Sequence, residues 1–236
     1  LPRPTHKSLG EYKIAVWAND VMAPVDQSVI ERVLMVAKLV EDAGGEVDFA
    51  ARPEFDAADS HLHYSSLLHS AMSARQPDAV FEKMRQQRES LADGDDSDLA
   101  QILTASTLHY RDWHKHNEKR THLRWAWHQF FQEFDLLLTP VCVTSAFAHD
   151  QNPHVGERGL TVNNEQRPYF EQIFWAGLTG VSYLPSTVVP TGLDHQGLPI
   201  GVQIVGREMG DLFTIEFARL VDAEIGGFVP ASAYRD

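Results

Sequence analysis

One cysteine stands among 236 residues, so no internal disulfide can form. That scarcity fits a reducing, cytoplasmic location. No apolar run approaches the roughly 20 residues needed to span a bilayer, and no basic-then-apolar leader opens the chain. A membrane is therefore not an expected partner. No GxGxxG turn opens a helix, so the dinucleotide fingerprint is missing. HExxH and Cys/His clusters are missing too, which leaves no expected metal or cofactor. Basic charge is scarce: 20 Lys and Arg face 33 Asp and Glu, a net charge of −13. Such a surface repels phosphate backbones and argues against nucleic-acid binding. The densest basic group is a loose one, Arg111, Lys115, Lys119, Arg120 and Arg124. The opening LPRPTHKSLG has no Met and reads as a Pro-rich connector from the middle of a longer protein, or as a processed terminus.

What is present is a sizeable core. Hydrophobic residues make up 43% of the chain, enough for one domain over 1–236. KIAVW (Lys13 to Trp17) predicts a strand. The next segment repeats apolar residues at helical spacing from Val29 to Val40, with Asp26 as N-cap and Gly44 after its end. EVDFA (Glu46 to Ala50) predicts a second strand, so the three form a βαβ unit with parallel pairing. Residues 56–130 read as a mostly helical layer or insertion. In it, one long helix runs from the Ser97 cap through Phe131. DLLLT (Asp135 to Thr139), stopped by Pro140, predicts a central strand buried on both faces. A long loop from Val141 to Arg167 holds Gly156, Gly159 and three asparagines. A helix from Arg167 to Gly180 follows, with Pro168 at its first position.

The stretch LPSTVVPTGLDHQGLPIGVQIVG, Leu184 to Gly206, has two β-branched runs around a Pro/Gly connector. It predicts a hairpin in the middle of a sheet. A helix from Asp211 to Ile225 packs back on it.

Taken in order, DLLLTP, the aromatic helix ending GLTG, LPSTVVPTG and GLPIGVQIVG resemble the C-terminal half of amidase-signature enzymes. KIAVW, the long amphipathic helix and GGEV are similar to the middle of that family. The resemblance implies an α/β fold, a mixed β-sheet core flanked by helices, lacking its N-terminal half. It also implies amide hydrolysis, or transfer of the released ammonia, by a nucleophilic serine, a bridging serine in a cis peptide and a lysine. The nucleophile belongs to a GGSSGG-type segment, and none occurs here. Ser65-Ser66 lies in HYSSLLH without glycine, and no lysine has a suitable context. No catalytic residue is carried over, and the chain alone is expected to be inactive.

The expected role is the pocket-lining, sheet-completing part of a C–N hydrolase. The alternative is a catalytically inactive binding or scaffold module. An unrelated doubly wound small-molecule binder is a third reading, disfavoured by the missing phosphate loop. The expected partner is a small-molecule amide, bound only together with the missing half. Self-association is expected through an exposed sheet, Asp135 to Thr139 above all. Loops at the carboxyl ends of buried strands bind ligands in α/β sheets. Thr139, Pro140, Val141, Cys142, Phe174 and Trp175 are therefore the pocket candidates.

Sharper motifs have bland explanations. His61 and His63, like His114 and His116, are spaced i,i+2 and face apart on a helix. Gly180-Val-Ser182-Tyr-Leu184 is half of a GxSxG elbow, with Leu184 in place of the second glycine. Cys142 reads as a buried, inert thiol. Asp93 to Asp98 lacks EF-hand spacing. Trp113, Trp125, Trp127, Phe130 and Phe131 read as helix core.

Overall fold

The computed structural model describes residues 1–152 and 157–230. A five-stranded sheet forms the centre of the fold. Its strands are β1 Lys13–Val16, β2 Glu46–Asp48, β3 Leu136–Pro140, β6 Ser186–Leu193 and β7 Pro199–Gly206. β1 runs parallel to both β2 and β3, whereas β7 is antiparallel to β3 and to β6. The sheet is therefore mixed, as the sequence predicts.

Period-2 alternation sorts the strand residues into two cores. Ile14, Val16, Leu136, Leu138 and Ile204 face α1 (Gln27–Asp42) and α7 (Asp211–Ile225). Ala15, Leu137 and Val205 face the opposite way, toward Trp127, Phe130, Phe131, Phe174 and Trp175. Leu136, Leu137 and Leu138 are each 0% exposed. This corrects the expectation that β3 exposes an apolar face for self-association. Helices cover it on both sides, and burial of each leucine contributes roughly 1.5–3 kcal/mol.

The hairpin also sits differently from the expectation. β7 is interior, but β6 lies at the sheet edge. Its register shifts between Pro190 and Gly192, where Gly192 has φ +117°. A proline lacks the N–H that a second neighbour would need, so this strand suits an edge.

α1 starts where expected. The Asp26 carboxylate accepts from Ser28 N at 3.0 Å, and Gly44 has φ +92° just past the C-cap. The loop after β3 is partly ordered into β4 (Gly159–Val162) and β5 (Glu165–Pro168). Their turn is Asn163-Asn164, with φ +50° and +67°, as a two-residue hairpin of the primed type requires. Asn163 docks it on α1: its Oδ1 accepts from Gln27 N at 2.8 Å and its Nδ2 donates to Val25 O at 3.0 Å. Burial opposes ionisation of Asp26, but hydrogen bonds from Ser28 and Asn163 hold its carboxyl below the usual range. Gly156 lies outside the described residues. The helix expected from Arg167 begins only at Phe174 (α6, Phe174–Gly180), after a 3-10 turn over Tyr169–Ile173. Pairing of Arg167 with Leu160 holds the earlier residues in a strand.

The helical layer comprises α2 Ala57–Ser73, α3 Asp78–Glu89, α4 Asp98–Ser106 and α5 Tyr110–Glu133. Ser97 caps α4, accepting from Ala100 N. The single long helix expected after Ser97 is two helices. Thr107 Oγ1 donates back to Leu103 O, and Arg88 donates to Thr107 O, closing α4 before α5 starts. The C-terminal half of α5 buries Leu123, Trp127, Phe130 and Phe131, but Trp125 is 63% exposed and stacks on His122. Trp125 is thus not core, because it lies off the apolar face.

Tyr12 yields a stability prediction. It is buried against Phe217, and its hydroxyl has no partner among the described residues. Burial, then the nearby Glu216 and Asp135 carboxylates, push its pKa from 10.0 up to about 12. The folded state thus favours the neutral phenol. Its contribution to stability is whole below pH 10 and falls as pH rises toward about 12, since the unfolded chain ionises first. Tyr12→Phe is expected to gain about 1 kcal/mol at neutral pH. It should also flatten that alkaline decline, as read from denaturant midpoints against pH.

Candidate functional site

The end of β3 meets α6 through one buried amide. Gln203 on β7 pairs with Thr139 in register, and its Nε2 donates to Thr139 Oγ1 at 2.9 Å. The same Nε2 reaches Trp175 O at 3.5 Å, a weak contact. Thr139 in turn donates to Pro140 O at 3.0 Å. Trp175 is fully buried, edge-on to Trp17 and Phe174 with ring centroids 6.2 and 5.1 Å away. Just beyond the strand, Cys142 is half-buried and its Sγ donates to Gln172 O. Burial pushes the Cys142 thiol up, so it stays protonated and is a poor nucleophile.

The six candidates from the sequence divide by the space they border. Val141 and Cys142 line a groove of about 310 Å³ together with Ile200 and Gly201. Phe174 lines a different, larger cavity. Thr139, Pro140 and Trp175 are buried behind these walls.

The larger cavity, about 450 Å³, opens between α2, α4 and residues 168–174. Apolar side chains such as Ile102, Leu108 and Phe174 line it, with His61, Ser65 and His69 from α2. These three stand at i, i+4 and i+8, one face of the helix. That spacing is visible in HLHYSSLLH, and weighing only the i,i+2 pairs overlooks it. His61 lies 5.7 Å from the Phe174 ring, centroid to centroid. Burial lowers the pKa of His61 and His69, so both are neutral at pH 7. Neutral imidazoles beside aromatic carbon suit an uncharged ligand with one polar end.

Nucleophilic chemistry is poorly served here. Ser65 Oγ is 3.5 Å from His61 Nε2, but among the described residues the buried His61 Nδ1 has no partner to orient it. A serine needs both a base and an orienting group to be activated. Ser182 Oγ is buried and has no partner among the described residues, so no base touches it.

Among the described residues no group of three or more His, Cys, Asp or Glu could hold a metal ion. The structure does bring His63 on α2 and His116 on α5 together, Nδ1 to Nδ1 at 2.9 Å. Among the described residues no helix is long and apolar enough to cross a membrane.

Comparison with known proteins gives three kinds of match. A family model described as Amidase matches residues 1–214. A glutamyl-tRNA(Gln) amidotransferase subunit of Allorhizobium ampelinum is 33% identical over 97 residues, 41% of this chain and 18% of that protein. The indoleacetamide hydrolase of Bradyrhizobium diazoefficiens is 34% identical over 115 residues, 46% of this chain and 20% of that protein. A solved bacterial aryl acylamidase of the amidase-signature enzymes superimposes with a TM-score of 0.65 at 20% identity, covering 94% of this chain and 48% of its own. The chain therefore spans about half of that fold, and its matches to the two curated relatives cover about a fifth of each.

Proposed function

The chain belongs to the amidase family, and from that premise we propose that it completes the sheet and walls the substrate pocket of an amide hydrolase. The nucleophilic serine, the cis-peptide serine and the lysine of the reaction come from sequence outside it. The carrying observation is the junction at the end of β3, where Gln203 ties Thr139 to the Trp175 carbonyl. The reading is supported by Val141 and Cys142 bordering a groove and by the buried Phe174 backing a cavity, with Thr139, Pro140 and Trp175 behind them. Their surroundings suit a small-molecule amide with an apolar or aromatic body. Amide cleavage needs an activated nucleophile and donors aimed at the developing oxyanion. The serines described above have no such company.

Two measurements test this reading. The isolated 236-residue chain should not hydrolyse a panel of aryl and alkyl amides, and turnover by it would overturn the placement of the catalytic groups. In the full reading frame, Phe174→Leu and Cys142→Ala should raise KM for aryl amides about tenfold at little cost in kcat. Unchanged preference in both variants would remove the pocket assignment. A folded full-length protein that binds amides without turnover would favour the inactive binding module.

A further inference from the structure

His63 and His116 stand on different helices, each half-buried, with rings at 67° and Nδ1 atoms 2.9 Å apart. We propose that this pair is a two-histidine clamp for a divalent transition metal, copper or nickel, joining α2 to α5. As built, one imidazole must donate its Nδ1 proton to the other. A metal ion takes that proton's place: the donor ring shifts its proton to Nε2, both imidazoles stay neutral, and each Nδ1 gives the ion a lone pair.

The spacing selects the metal. With metal–nitrogen bonds of about 2.0–2.1 Å, two nitrogens 2.9 Å apart subtend about 90° at the ion. That is the cis angle of square-planar Cu²⁺ and octahedral Ni²⁺. Tetrahedral Zn²⁺ needs roughly 3.3 Å, so the helices would have to part slightly. Water completes the coordination, since no third protein ligand is gathered here among the described residues.

The surrounding charge is balanced. Asp59 and Asp112 each stand one turn before one of the two histidines and favour a cation there, while Lys115 and Lys119 oppose it. Asp112 is partly engaged, accepting from Lys115 Nζ at 2.7 Å. The clamp is separate from the proposed hydrolytic role, although His116 itself is among the residues lining the larger cavity.

The test uses NiCl₂ alone with the intact chain at pH 7.5. Saturation should raise Tm by ~5 °C or more, as expected for a ligand held well above its Kd by the native state only. His63→Ala and His116→Ala should each lose the rise and weaken binding at least tenfold. His114→Ala, at an exposed position on the same helix, should keep both. A rise that survives either clamp variant, or no rise in the wild type, overturns the proposal. Electron paramagnetic resonance of the Cu²⁺-loaded wild type gives a readout independent of variant folding. Two nitrogen ligands are expected, and one or none would also overturn it.

Discussion

Trp175→Ala is expected to cost about 3–5 kcal/mol of stability. The side chain is 0% exposed and sits edge-on between Trp17 and Phe174. Arg52 lies over the far ring of that stack, 4.8 Å from Trp17, so the loss extends to a neighbour that depends on the ring. Truncation would leave a cavity between α6 and the sheet that the rigid strands β3 and β7 cannot close. Urea unfolding should show a lower midpoint with an unchanged slope. Trp175→Phe should be milder, because among the described residues the indole Nε1 has no partner and its loss removes a buried unsatisfied donor. An alanine variant within about 1 kcal/mol of wild type would contradict this packing. The burial also decides how pocket questions should be asked. A KM change on removing Trp175 would mix binding with loss of fold, whereas Phe174→Leu keeps most of the packing.

The second large effect is at Gly177, in the middle of α6. A Cβ there would stand 2.3 Å from Tyr64 Cδ1 and 2.6 Å from Cε1. Tyr64 packs against the Leu67, Leu123 and Val181 cluster, so its ring has little room to withdraw. Gly177→Ala is therefore expected to destabilise by about 1–3 kcal/mol and to push α2 away from α6. The cause can be isolated by a double-mutant cycle. In a Tyr64→Ala background the same glycine change should cost much less, and the coupling should exceed 0.5 kcal/mol in the ~0.5–3 range of contacting pairs. Additive costs would show that the clash is not what the glycine avoids.

The sheet was largely legible in the sequence because its signals are local. DLLLT, KIAVW and the capped α1 carry their own period and punctuation. The β6–β7 hairpin was legible for the same reason, but its position was not, since a strand's neighbours are set by the rest of the chain. The break at Thr107 left no mark: STLHY has neither glycine nor proline, and the helix stops because Arg88, from another helix, takes a carbonyl. Arg167 and Pro168 read as a helix start until β4 claims them. In the candidate site, the strand end and α6 were both found, yet the residue that joins them was not. Gln203 is the lone polar side chain in IGVQIVG, and that oddity was the available signal. His63 and His116 could not be paired from spacing, because α3 and α4 lie between them.

The neighbouring strands β1 and β3 touch directly, yet everything from α1 to α5 is threaded between them. Loop-closure entropy rises only logarithmically, ~0.6 kcal/mol per doubling of length. Lengthening or shortening the connections within the helical layer thus shifts the final stability little, so long as α5 keeps its buried face. The timing of assembly is another matter. The helices and the β6–β7 hairpin close over short separations and form early, while the β1–β3 ladder must wait for its distant ends to meet. The leucines of β3 are therefore expected to be covered on both faces only once that ladder closes, which amide protection developing in β3 after the helices would show.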